Sequence, residues 1–84
     1  MTVGARNFYS ASHVGQLRVV THESILLFVH PCGANNLGFL HKGDIISVVG
    51  YDWQEDELKV LSRIGVGWVG PSAMSMSQKV SDEG

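Results

Sequence analysis

The sequence has one cysteine, Cys32, only two prolines, and few charged residues of either sign. One cysteine cannot close an internal disulfide, which excludes the disulfide-stapled class of small secreted domains. No apolar run approaches the ~20 residues that a membrane-spanning helix needs, and residues 1–10 lack the apolar stretch of a secretory signal. We therefore expect no membrane partner, and a location in the cytoplasm or in a larger assembly such as a virion.

The charge balance and the size narrow the function classes further. Six Lys+Arg against eight Asp+Glu give a formal charge of −2, which disfavours nucleic-acid binding through bulk electrostatics. A hydrophobic share of 44% in 84 residues indicates one folded domain. A core of this size rarely leaves more than ~3–5 kcal/mol of net stability. We therefore expect a homo-oligomer or docking onto a larger assembly.

Ten glycines punctuate short runs of Val, Ile and Leu, a layout typical of short strands joined by tight turns. The pattern predicts an all-β fold, a small barrel of five to six short antiparallel strands, with a 3₁₀ turn over residues 71–74. Closure is expected because an open sheet of this size would leave a bare edge. The predicted strands are 17–21, 25–30, 37–40, 44–49, 57–63 and 66–69, with a short closing strand near Met76. The predicted organisation is an arm (1–16), the barrel (17–76) and a polar tail (77–84).

Two predicted strands show which side chains face the core. In DIISVV, Ile46 and Val48 point to one face while Ile45, Ser47 and Val49 point to the other. Both faces are mostly apolar, which indicates a central strand. In ELKVLSR, the alternation places Leu58 and Val60 inward, and Glu57, Lys59 and Arg63 outward.

Several motifs together resemble the bacterial SH3-like (SH3b) family. They are LFVHPCG at residues 27–33, LGFLHKGD at 37–44, RVVT at 18–21, LKV at 58–60 and GWV at 67–69. The resemblance covers residues 17–76 and implies an SH3-like barrel, together with binding of peptides or bacterial cell wall. The chain departs from the family pattern at His30, where the family usually has Arg, and at Leu58, which stands in place of an aromatic.

The strongest candidate binding segment is the polar loop that follows the fourth predicted strand. Asp52, Glu55 and Asp56 lie in it beside Tyr51 and Trp53, with Glu57 directly after. Trp concentrates binding energy at interfaces, and acidic side chains steer partners of opposite charge. The loop therefore predicts a protein partner with a basic surface. The alternative is a solvated loop whose Trp53 covers one end of the barrel.

A second candidate is the pair Phe8 and Tyr9 in the polar N-terminal arm, since two adjacent aromatics outside a barrel need a surface to cover. They form either a docking arm for a partner or subunit, or an arm folded back on its own barrel.

Catalytic, metal and cofactor sites are not expected. The pair His30 and Cys32, with the more distant His22 and His41, does not have a zinc-ligand spacing. Nothing marks an oxyanion hole for a Cys–His nucleophile, and the acids lie on one loop with no implied cleft. The preferred function is a non-catalytic interaction module or small accessory subunit. The alternatives are a peptidoglycan-binding module, which a pull-down on purified peptidoglycan would test, and a small enzyme of unknown type.

Overall fold

The structure, a computed structural model, describes residues 9–33 and 35–80. In these residues the chain forms seven strands, all paired antiparallel, one 3₁₀ turn, and a helical segment at residues 9–11. The elements are β1 (Leu17–Val20), β2 (Ser24–Phe28), β3 (Asn36–His41), β4 (Ile45–Asp52), β5 (Glu57–Ser62), β6 (Gly65–Val69), the 3₁₀ turn (Pro71–Met74) and β7 (Ser77–Lys79). The all-β prediction is confirmed, and so is the 3₁₀ turn. The described strands number seven rather than five to six.

The seventh strand, β7, begins one residue after Met76, near which the sequence predicts a short closing strand, and it lies in residues 77–84, which are predicted to be a polar tail. It pairs with β1 through Arg18 opposite Lys79 and Val19 opposite Gln78. Its sequence, SQK, has no apolar alternation from which a strand would be predicted. Pairing with β1 and side-chain contacts from Arg18, not local propensity, make this segment a strand.

The turn cluster around Pro31 joins β2 to β3, as the sequence predicts. The Val29 N–H donates to the Asn35 carbonyl at 2.8 Å and closes the loop. Gly33 and Asn35 have φ values of +85° and +60°, a region that glycine and asparagine tolerate.

One apolar cluster forms the core, and six strands and the 3₁₀ turn contribute to it. The inward positions predicted for β4 and β5 are confirmed, because Ile46, Val48, Leu58 and Val60 are all buried. The complete cluster is Val20, Ile25, Leu27, Leu40, Ile46, Val48, Leu58, Val60, Val69, Ala73 and Met74. Since β3 and β1, near opposite ends of the strand order, contribute to one cluster, the sheet is curled around it.

The sheet has the strand order β3-β2-β6-β5-β4-β1-β7, so β3 and β7 are its outer strands. No ladder joins these two strands in the described residues, and the sheet is not closed. Central placement of β4, between β5 and β1, agrees with its two apolar faces. In residues 9–33 and 35–80, no helix has the length and apolar character needed to cross a membrane.

Candidate functional site

The candidate site is built on the hairpin loop that connects β4 to β5. The loop is short and is stabilised by internal hydrogen bonds. The Asp56 N–H donates to the Asp52 carbonyl at 2.8 Å. The Asp52 carboxylate accepts a hydrogen bond from the Glu55 N–H at 3.1 Å. Asp56 has a φ of +57°, which aspartate tolerates better than most residues. The acidic side chains therefore also shape the loop.

Two aromatic rings meet at the base of this loop. The Tyr51 and Trp53 ring centroids are 4.9 Å apart, and the rings cross at 86° in an edge-to-face arrangement. Tyr51 packs against the core cluster, and its hydroxyl donates to the Asp56 carboxylate. Trp53 remains 52% exposed. The loop thus presents a large apolar ring that a core-anchored tyrosine holds in place.

Glu57, the first residue of β5, is a half-buried acid of the hairpin. Burial raises the pKa of its carboxyl above the ordinary value of 4.5, and the neighbouring charges of Glu55, Asp52 and Asp56 raise it further. Its Oε1 is buried and has no hydrogen-bond partner in the part of the chain that the structure describes. The hairpin therefore carries a negative potential that a cation would relieve.

Glu57→Gln is expected to raise the unfolding free energy at pH 7 by roughly 0.2–1 kcal/mol, because it removes a half-buried charge that lies beside three other acids. The raised pKa means that the folded state binds more protons than the unfolded state between pH 4.5 and the folded pKa. The stability of the parent protein therefore falls as pH rises through the folded pKa. The difference in unfolding free energy between the variant and the parent should therefore increase over that pH range. Urea unfolding at pH 4 and pH 7 measures this difference.

Glu55→Gln is the matched control for this measurement. It removes the same charge from the same hairpin, but Glu55 is exposed. Equal gains for the two variants would show that total charge, and not the burial of Glu57, causes the effect.

The five residues predicted for partner binding lie together on this hairpin: Tyr51, Asp52, Trp53, Glu55 and Asp56. The sequence predicts that Glu57 points outward; it lies on the face of β5 opposite the buried Leu58 and is half-buried where β5 leaves the turn. Of the second predicted pair, Phe8 lies outside the described residues. Tyr9 is 64% exposed, and its ring meets the ring of the buried His13 edge-on at 4.8 Å.

The structure does not bring together the residues considered as metal ligands or nucleophiles. Cys32 is exposed. Across residues 9–33 and 35–80, no three or more His, Cys, Asp or Glu side chains are grouped so that they could hold a metal ion.

A buried polar cluster that the sequence did not indicate lies around Arg18. Its Nε donates to the Ser77 hydroxyl at 2.9 Å, and its Nη2 donates to the carbonyls of Met74 and Ser77, both at 2.9 Å. Burial lowers the pKa of this guanidinium, an effect that Tyr9 partly offsets. Arg18 therefore fastens the 3₁₀ turn and β7 to β1.

Comparison with protein-family models, curated proteins and solved structures finds no match for this chain. What the hairpin can do chemically follows from its own side chains. It offers an apolar ring and several carboxylates on one exposed turn, an arrangement that suits binding of a cationic surface.

Proposed function

We propose that this protein is a non-catalytic interaction module with an SH3-like barrel, and that it docks on a basic protein surface through the β4–β5 hairpin. The observation that carries the proposal is the half-exposed Trp53, supported by Tyr51 and surrounded by carboxylates. A large ring held in place loses little conformational entropy on binding, which favours its use as an anchor.

The barrel assignment is supported by the curled sheet and by the sequence motifs. Inward side chains of β3 and β1, near opposite ends of the strand order, join one core cluster, as they do when a sheet wraps towards closure. The hairpin then lies at one end of the barrel, where loops carry binding residues on a rigid scaffold.

The acids set the polarity of the partner and the rate of encounter. Three acids lie in or next to the turn, and their charges add to the effect of burial in raising the pKa of Glu57, so they repel its carboxylate. A Lys or Arg of the partner relieves that repulsion. Since exposed charge pairs are screened over ~8–10 Å at physiological salt, the affinity should fall as salt rises.

The test is selection from a random peptide library displayed on phage, with the purified protein as bait. We expect the enriched peptides to contain Lys or Arg next to an apolar residue. Trp53→Ala should weaken their binding at least ~10-fold, the scale of a hot-spot residue. Fluorescence anisotropy with one enriched peptide, at low and high salt, measures both effects.

Phe39→Ala is the matched control, because Phe39 is also an aromatic that is 52% exposed, but it lies on the edge strand β3. It should bind the peptide as the parent does. If Trp53→Ala retains full affinity, or if the enriched peptides carry no basic residue, the hairpin is not the binding site.

A further inference from the structure

A second apolar surface lies on the outer face of β1, β4, β5 and β6, beside Lys59, which is on the same face of β5. The strand register places Leu17 opposite Ser47, Ser47 opposite Leu61, and Leu61 opposite Val66, so one row crosses four adjacent strands. The neighbouring row contains Val19 opposite Ile45. We call this surface the outer patch; its members are Leu17, Val19, Ile45, Ser47, Leu61 and Val66.

The outer patch is unusual for the solvent side of an antiparallel sheet, where polar residues normally alternate with the core residues. Leu17, Ile45 and Val66 are each 48% exposed, and Leu61 is 49% exposed. None of the six members is charged. With neighbouring strands ~4.8 Å apart, the row is roughly 14 Å wide. A contiguous apolar surface of this kind marks an interaction site.

An ion pair borders the patch at one end of β4 and β5. The Arg63 Nη2 lies 3.0 Å from the Asp44 Oδ2, with the arginine side chain 52% exposed and the aspartate 17% exposed. Asp44 lies just before β4, next to Ile45, and Arg63 lies just after β5. This rim therefore has one acid on the β4 side and one base on the β5 side.

We propose that the outer patch binds a second copy of this chain, face to face, about a two-fold axis parallel to the strands and between β4 and β5. That axis lays β4 of one copy over β5 of the other, and β1 over β6. Leu17 then faces Val66 of the second copy, and Ser47 faces Leu61 of the second copy. The arrangement is an aligned sandwich of two sheets, which pack ~10 Å apart.

The same axis gives the rim its charge complementarity. It lays Arg63 over Asp44 of the second copy, and Asp44 over Arg63 of the second copy, so the two acids and two bases alternate. Because the acid and the base at this rim cancel, the outer patch has no electrostatic preference for the basic partner that we propose for the hairpin. The small net charge of −2 also opposes self-association only weakly.

The patch forms the centre of such an interface, but its six residues are fewer than the roughly 20–30 residues per partner of a standard stable complex. We therefore expect a weak dimer, with a Kd on the order of 100 μM. Sedimentation equilibrium of the full chain, from about ten-fold below to ten-fold above that Kd, measures it.

Leu61→Glu tests the centre of the patch, because it places two carboxylates close to the axis. It should weaken the dimer at least ~10-fold, since burying unpaired like charges is unfavourable. Phe39→Glu is the control: Phe39 has a similar exposure of 52% but lies on β3, away from the patch. Its Kd should stay within about two-fold of the parent value.

A monomeric parent protein throughout this range would overturn the proposal. So would a Leu61→Glu variant that dimerises like the parent, or a Phe39→Glu variant that is weakened as much. If Leu61→Glu does not fold, as judged by circular dichroism, Arg63→Asp carries the same test at the exposed rim and should also weaken the dimer about ten-fold. Trp53→Ala should dimerise normally, which separates this surface from the hairpin.

Discussion

Gly67→Ala is expected to lower the unfolding free energy by about 3 kcal/mol, at the upper end for overpacking in a core. A Cβ at Gly67 would lie 2.6 Å from Leu27 Cγ and 2.8 Å from the Phe28 carbonyl oxygen. The second contact is with backbone, so a side-chain rotation cannot relieve it. Since small domains have ~3–5 kcal/mol of net stability, thermal unfolding should begin more than about 10 °C earlier.

Gly50→Ala is the matched control, because Gly50 also lies within a strand. Its added Cβ would lie 3.5 Å from Lys59 Cβ, an ordinary contact. That variant should be neutral or slightly stabilised, since glycine loses more backbone freedom on folding than alanine does. If Gly67→Ala is no less stable than Gly50→Ala, β2 and β6 do not approach as closely as the structure shows.

A double-mutant cycle separates the two clashes at Gly67. Leu27→Ala alone should cost ~2–5 kcal/mol, because Leu27 is fully buried. In the double variant the contact with Leu27 is gone while the contact with the Phe28 carbonyl remains. The combined loss should therefore be smaller than the sum of the two single losses. Strict additivity would contradict the close contact of Leu27 with Gly67.

The sequence predicts Gly67 as a hairpin glycine but not its true role. The alternation in β4 and β5 is local information, and it correctly identifies Ile46 and Val60 as core residues. A side chain at position 67 would collide with Leu27, which lies forty residues earlier in the chain. Leu27 is on β2, and in the described residues β2 pairs with β6 only through Phe28 and Trp68. Such a contact depends on strand order, which local patterns do not contain.

The candidate site also has features that the local sequence predicts and features that depend on contacts between distant residues. The composition of the hairpin predicts an aromatic and acidic loop, and the structure places those side chains on one turn. The buried Oε1 of Glu57 depends on how β5 leaves that turn, and the edge-to-face contact of Tyr51 with Trp53 depends on the core beneath it. The outer patch is likewise visible only once the register aligns Leu17 with Val66 across four strands.

Arg18→Met is the second change with a large expected effect, a loss of about 3 kcal/mol of unfolding free energy. Methionine keeps most of the apolar stem but removes every guanidinium donor. The carbonyls of Met74 and Ser77, which accept from Nη2 at 2.9 Å, would lose that partner. Buried polar groups without partners cost ~1–3 kcal/mol each. Urea unfolding measures the loss, and hydrogen exchange of the β7 amides locates it.

The control and a conservative variant make the Arg18 test specific. Lys79→Met alters the exposed residue directly opposite Arg18 on β7 and should change stability by less than about 0.5 kcal/mol. Arg18→Lys keeps the charge, but a lysine lacks the planar fork that reaches the Ser77 hydroxyl and two carbonyls together. It should therefore recover less than half of the loss. Full recovery by lysine would mean that charge, and not the fork, holds β7.

In the Arg18→Met variant, faster amide hydrogen exchange in β7 than in β4 would show that the edge strand β7 separates from β1 before the core opens. β1 would then become the outer strand of the sheet, with an unpaired edge available to other chains. Because Leu17 and Val19 of the outer patch lie on β1, this variant should also aggregate at concentrations where the parent remains in solution. Arg18, a single charged residue in a strand, thus stabilises the fold and keeps the edge of β1 paired.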